Sequence, residues 1–247
     1  MSQVVFDYTG RTVVITGGAQ GIGLALCRLF ASVGATTYLV DVDESAAASA
    51  AAGLAGDVRA LQADVSQTSD VEAVVARIVA ETGRIDVLVN NAGVLRDTVL
   101  WKLTDEDWDT VIGVHLDGTF RCTRAVVPTM RQQGYGRIIN VTSYTGLHGN
   151  VGQSAYASAK SGIIGFTKTA AKELARFGIT CNAISPAART RMIDSIPEER
   201  LAQMAAEVPM GRFADPQEIA AAVAFLGSEE AAYITGVVLP IDGGHSI

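Results

Sequence analysis

Residues 12–23 read Thr-Val-Val-Ile-Thr-Gly-Gly-Ala-Gln-Gly-Ile-Gly, and this stretch decides the fold. A β-branched run ends in glycines spaced G-x-x-x-G-x-G and passes straight into the apolar-periodic segment from Ile22 to Val33, which reads as strand, tight turn, helix. Gly17 suits backbone angles closed to other residues, Gly21 lets the main chain approach a pyrophosphate, and Gly23 lets helix and strand pack closely. The free N–H groups at the helix start, around Gln20 and Ile22, then face phosphates. A glycine cluster by itself also occurs as a plain tight turn. The context argues for a dinucleotide: Asp41 closes the next apolar run, Thr37-Tyr38-Leu39-Val40, about twenty residues on, where a ribose-binding carboxylate is expected.

Working outward, the chain keeps alternating. Strands are predicted at 58–62, 85–89, 137–142, 179–184 and 236–241, with helices at 45–52, 71–79, 104–133, 155–177 and 216–226 between them. Thr104 and Asp107 have the spacing of a capping box that starts the long third helix of this group. The rhythm breaks from Pro186 to Met210, where prolines flank a helical patch at 198–207, so a substrate lid or a plain long loop is expected around 186–210. No linker or charge block divides the 247 residues. The expectation is one α/β domain over 1–247, a doubly wound Rossmann fold with a seven-stranded parallel sheet and helices on both faces.

Bulk composition narrows the function. Apolar residues make up 49% with no run long enough for a bilayer, so a soluble protein is expected. Lys plus Arg number 19 against 26 Asp plus Glu, and a net charge of −7 disfavours nucleic acid. Cys27, Cys122 and Cys181 lie far apart in apolar segments, which fits buried thiols in a reducing compartment and shows no metal spacing. With no secretory signal at Met1–Asp7, the cytoplasm is the expected location.

The chemistry falls at strand ends. Asn90-Asn91-Ala92-Gly93 is a turn-forming group at the carboxyl end of the fourth strand, where open α/β sheets bind ligands. Tyr156 and Lys160 are four positions apart and share one helix face, so an ammonium can approach a phenol. A free tyrosine has a pKa of about 10, and bringing it near 7 takes roughly 4 kcal/mol of differential stabilisation. A lysine cation and an oxidised nicotinamide ring together can supply that. Ser143, at the end of the fifth strand, can offer a hydroxyl to the same carbonyl or alcohol oxygen.

Thr16-Gly17-x-x-x-Gly21-x-Gly23, Asn90-Asn91-Ala92-Gly93, Ser143, Tyr156-x-x-x-Lys160, Pro186 and Asp242-Gly243-Gly244 together resemble the short-chain dehydrogenase/reductase family in order and spacing over almost the whole chain. That resemblance implies Tyr156 as general acid/base, Ser143 as orienter of the reacting oxygen, and Lys160 as both depressor of the tyrosine pKa and holder of the nicotinamide ribose. It also implies that Asp64 and Val65 line the adenine pocket, that Asn91 steadies the central sheet, and that Pro186 and Thr190 lie against the cofactor. Two departures stand out. His115 occupies a fourth catalytic position where the family usually has asparagine; the family role there is to help hold a water that relays protons to Lys160, and a locally satisfied helix histidine is the plain alternative. After the sixth strand the usual Pro-Gly is Pro186-Ala187, and Thr190 comes one residue early. Both departures are similar to the (3R)-hydroxyacyl-CoA dehydrogenase domain of peroxisomal multifunctional enzymes.

The resulting expectation is an NAD-dependent alcohol/ketone oxidoreductase acting on 3-hydroxyacyl or 3-oxoacyl thioesters. Its alternatives are a dehydrogenase of a steroid, polyol or other secondary alcohol, and a catalytically silent NAD-sensing module. Asp41 favours NAD because a carboxylate accepts from ribose hydroxyls and repels the 2′-phosphate of NADP. Arg189, Arg191 and Arg212 suggest a clamp for coenzyme A phosphates, with solvated surface charges as the plain alternative. Long apolar helices predict a homotetramer, with a dimer as second choice, and neither a metal nor a membrane partner is expected.

Overall fold

The computed structural model describes residues 6–189 and 198–247. Seven strands form one sheet: β1 (Thr12–Thr16), β2 (Thr36–Asp41), β3 (Val58–Gln62), β4 (Val87–Asn90), β5 (Gly136–Val141), β6 (Ile179–Pro186) and β7 (Val238–Ile241). Their order is β3-β2-β1-β4-β5-β6-β7, and every neighbouring pair is parallel. From β1 the chain builds outward through β2 to β3, then crosses back to lay β4 on the other side of β1. That reversal opens a crevice at the carboxyl ends of β1 and β4, the place where doubly wound sheets take ligands.

Helices cover both faces, and strand alternation assigns the side chains. Val13, Ile15, Val87, Val89, Ile139 and Val141 point to one face, into the core built with α1 (Gly21–Ser32) and α9 (Pro216–Gly227). Val14, Leu88 and Ile138 point to the other, against α3 (Thr68–Thr82), α5 (Gly118–Gln133) and α7 (Ser154–Leu174). Central strands buried on two faces need apolar residues at successive positions, which is why they read as continuous β-branched runs. The alanine-rich segment forms α2 (Glu44–Ala52), capped by the Asp43 side chain accepting from the Ala46 N–H, and it is mostly exposed as its low complexity suggests.

Two elements depart from the sequence reading. The helix expected over 104–133 is not uniform. Thr104 does cap its start by accepting from the Asp107 N–H at 3.1 Å, but α4 (Asp105–Ile112) passes into a π-helical turn at Gly113–Asp117 before α5 begins. A π turn inserts an extra residue into the ladder, and such insertions gather at functional sites. The second is α6 (Tyr144–His148), a short helix between β5 and α7 that apolar periodicity is too brief to reveal. The helical patch is found as α8 (Glu198–Glu207), while the remainder of the expected lid at 190–197, including Thr190 and Arg191, lies outside the described residues. Among the described residues no helix is long and apolar enough to cross a membrane, and no cluster of side chains could hold a metal. The three cysteines are buried and free, and burial pushes each thiol up to about 12.

Candidate active site

The crevice is held open by main-chain geometry. Gly17 has φ +64°, a conformation that L side chains rarely adopt, and a Cβ there would come within 2.8 Å of the Ala92 Cα. Gly23 is fixed by space: a Cβ there would stand 2.1 Å from the Gly17 carbonyl oxygen. Asn91 laces the two strand ends together. Its Nδ2 donates to the Thr16 and Gly17 carbonyls at 3.0 Å each, while the Thr16 hydroxyl accepts from the Asn91 and Ala92 N–H groups at 3.0 and 3.1 Å.

A dinucleotide fits this cradle on two observations. The Gln20 side chain does not cap α1, so the first N–H groups after Gly21 keep their capacity for an anion, and the glycines leave room for main chain to meet phosphate. Asp41 ends β2 directly beside the loop, its carboxylate accepting from the Ala19 N–H at 3.1 Å and the Asp43 N–H at 3.3 Å. Beside it, after the neighbouring β3, Asp64 accepts from the Ser66 N–H at 2.8 Å, which fixes the turn that carries Val65. Val65 is buried against α5, where a Cβ on Gly118 would come within 2.8 Å of it. Pro186 closes β6, and Ala187 continues the edge by donating to the Ile241 carbonyl and accepting from the Ala214 N–H, both at 3.0 Å.

Ser143, Tyr156, Lys160 and His115 meet at the same end of the sheet. Ser143 leaves β5 as the cap of α6, its hydroxyl accepting from the Thr145 N–H at 3.2 Å. Tyr156 and Lys160 lie one turn apart on α7, with the lysine nitrogen 5.5 Å from the phenol ring centre. Lys160 is buried and donates to the Val141 carbonyl at 2.7 Å, while its own carbonyl accepts from the Thr142 hydroxyl at 2.8 Å. Burial brings its ammonium down to about 7. Burial likewise raises the Tyr156 phenol, the Ser143 hydrogen bond opposing that rise and the nearby Asp97 charge adding to it. Desolvation is thus the largest influence on the phenol.

His115 sits in the π turn, only 2% exposed, edge-on to the Tyr156 ring with centres 5.1 Å apart. Its Nε2 lies 2.8 Å from the Val94 carbonyl oxygen and 3.1 Å from the Val94 nitrogen, so it donates to one or accepts from the other according to tautomer. Its Nδ1 has no partner. Burial first and the Lys160 charge second drive its pKa down to about 3, which makes it a neutral ring. Its carbonyl accepts from the Thr119 hydroxyl at 2.7 Å. A Cβ on Gly93 would stand 2.4 Å from the ring carbon Cε1, so the glycine ending the Asn-Asn-Ala-Gly turn makes room for this imidazole. This is more than a locally satisfied helix residue: the ring joins the turn after β4 to the tyrosine.

The chain is similar to known proteins over nearly its whole length. A family model described as enoyl-(acyl carrier protein) reductase matches residues 17–246. The chain belongs to the short-chain dehydrogenase/reductase family. It is 44% identical over 239 residues to the 3-oxoacyl-[acyl-carrier-protein] reductase FabG of Thermotoga maritima, covering 95% of this chain and 97% of that protein. It is 40% identical over 239 residues to the reductase of the same name from Escherichia coli, covering 96% and 98%. An uncharacterized oxidoreductase of Mycobacterium tuberculosis is 46% identical over 240 residues, covering 96% and 97%. The protein is therefore an oxidoreductase of this family, whose members use a nicotinamide cofactor.

Of the three arginines of the expected clamp, Arg191 lies outside the described residues, and the other two face carboxylates. Arg212 makes two hydrogen bonds to Glu218, at 2.6 and 2.8 Å, and that carboxylate also accepts from the Asp215 N–H in the capping box of α9. Arg189 faces Glu198 at 3.7 Å. A guanidinium held by a helix cap has little left for a phosphate. The sequence reading also missed Gln153 and Asp97, whose contact crosses 56 positions of chain and leaves no local signal.

Proposed function

We propose that the protein interconverts a ketone and a secondary alcohol by hydride transfer with NAD(H), and that its substrate is a 3-oxoacyl or 3-hydroxyacyl thioester. The convergence of Ser143, Tyr156 and Lys160 beside the glycine cradle carries this reading. A bound nicotinamide would supply the hydride, and its oxidised ring would add positive charge beside the phenol. Ser143 donates to the substrate oxygen and fixes its position. Tyr156 gives that oxygen a proton in reduction and removes one in oxidation. Lys160, anchored on the Val141 carbonyl, holds the ribose and favours the phenolate. Asp41 selects NAD through the ribose hydroxyls, since no arginine lies at 17–23 or 41–43 to offset repulsion of a 2′-phosphate.

The thioester class rests on the names of the reductases that resemble this chain and no longer on charges around the lid, because Arg212 is committed to Glu218. Within this reading, residues 1–247 form one NAD-binding domain with a substrate lid around 186–210, and the protein works in the cytoplasm as a homotetramer. The test is a panel of 3-oxoacyl thioesters, steroid ketones and polyols offered with each cofactor to the wild type and to Tyr156→Phe. The wild type is expected to prefer the thioesters. The variant is expected to bind NADH but lose about 10²- to 10⁴-fold in turnover, the usual worth of general acid/base assistance. A variant with wild-type turnover removes Tyr156 from the reaction, and preference for a steroid or polyol removes the thioester.

A further inference from the structure

Gln153 precedes the first turn of α7, one turn before Tyr156, and its side-chain amide is used at both ends. Its Nε2 donates to the Asp97 carboxylate at 2.7 Å, and its Oε1 accepts from the Thr145 hydroxyl at 3.0 Å and from the Asn150 amide at 3.1 Å. Main chain reinforces the joint: Thr98 bridges Gln153, and the Thr98 N–H donates to the Gly152 carbonyl at 2.8 Å. Four segments of the cleft wall thus meet at one amide: the loop after β4, the α6 helix capped by Ser143, the 149–152 turn, and the helix bearing the tyrosine.

We propose that Gln153 and Asp97 form a positioning pair, in which the glutamine ties these segments into register and holds the aspartate's negative charge near the Tyr156 phenol, so that the tyrosine stays a proton donor for ketone reduction. This rests on the reaction proposed above. Tyr156 is faced by Lys160 from its own helix, by His115 from the π turn, by Ser143 from the end of β5, and by Asp97 from the loop after β4. The histidine is neutral and the serine uncharged, and the carboxylate that acts on the phenol is Asp97, held by Gln153 one turn before the tyrosine. The Asp97 charge disfavours phenolate, as burial does. A phenol that keeps its proton serves reduction, and its activity then falls only at higher pH.

The sign fixes the experiment. In Asp97→Asn the phenolate is relieved of a like charge, so the alkaline limb of kcat/KM for NADH-dependent reduction of a 3-oxoacyl thioester should move to lower pH. In Gln153→Ala the same limb should move the same way. In addition kcat should fall by about 10- to 100-fold, the cost of misplacing reacting groups by around an ångström. A merely structural pair would lower activity in both variants and leave the limb in place, and that result overturns the proposal. A second measurement needs no substrate: the ultraviolet phenolate absorbance of Tyr156, isolated by subtracting Tyr156→Phe, is titrated with and without Asp97→Asn. Titration at lower pH without the carboxylate supports the pair, and an unmoved titration sinks it. Should the wild type reduce no ketone, the reaction proposed above fails and this absorbance comparison still decides the pair.

Discussion

Replacing Gly23 by alanine tests whether the cradle is built by exclusion. The added methyl would stand 2.1 Å from the Gly17 oxygen, 2.7 Å from the Asn91 Nδ2 and 2.9 Å from the Gly17 carbonyl carbon. Two of these are backbone atoms and the third holds the Thr16 and Gly17 carbonyls, so no flexible side chain can swing away. Overpacking of this kind costs about 1–3 kcal/mol. At about 2–4 °C per kcal/mol for a chain of this size, the melting temperature should fall by about 2–12 °C. The atoms displaced are those that aim the loop at the pyrophosphate, so the same strain should weaken NADH binding by roughly tenfold or more, a factor worth about 1.4 kcal/mol. Fluorescence titration with NADH reads the affinity and differential scanning calorimetry the stability. Gly53→Ala is the control. It follows α2 with a negative φ and only ordinary contacts at 3.6 Å, and it should stabilise by about 0.4–1 kcal/mol without touching NADH affinity. Unchanged melting and unchanged affinity in Gly23→Ala would refute the steric account of the loop.

The buried His115 makes stability depend on acid. Its pKa is about 3 in the fold against an ordinary 6.5, so below pH 6.5 the unfolded chain takes up a proton that the native ring refuses, and stability is lost as pH falls from 6.5 toward 3. At pH 5 that loss is about 2 kcal/mol, at about 1.4 kcal/mol per pH unit, and the drop in melting temperature between pH 7 and pH 5 should be smaller in His115→Asn; equal drops would show that the ring is protonated in the fold. Cofactor choice should follow Asp41: kcat/KM with NADH should exceed that with NADPH, and Asp41→Ala should narrow the gap, whereas NADPH preference in the wild type would end that reading. Phe120 and Trp108 stand exposed on α5 and α4, with Phe120 edge-on to Phe166 of α7 at 6.4 Å, an apolar surface that a second copy would cover. Static light scattering should give four times the 25.8 kDa chain mass, and the monomer mass would contradict the tetramer.

The sequence by itself determined the sheet and the place of its crevice. Strands buried on both faces must be apolar at successive positions, and helices must repeat every three to four, so Thr12–Thr16 and Glu198–Glu207 are legible almost to the residue. The glycine loop, Asp41, Ser143 and the Tyr156-Lys160 pair were legible because each depends on local spacing at a strand end or on one helix face. Tertiary structure decided what depends on distant neighbours. The π turn at Gly113–Asp117 and the buried His115 exist because the ring packs between Gly93 and Tyr156, contacts that helix periodicity does not encode. Arg212, a clamp candidate in the sequence, is spent on Glu218, since the fold brings the loop before α9 over its own helix start. The direction of the tyrosine's pKa also belongs to the fold: burial is a property of the assembled cleft, and it is the largest influence on the phenol.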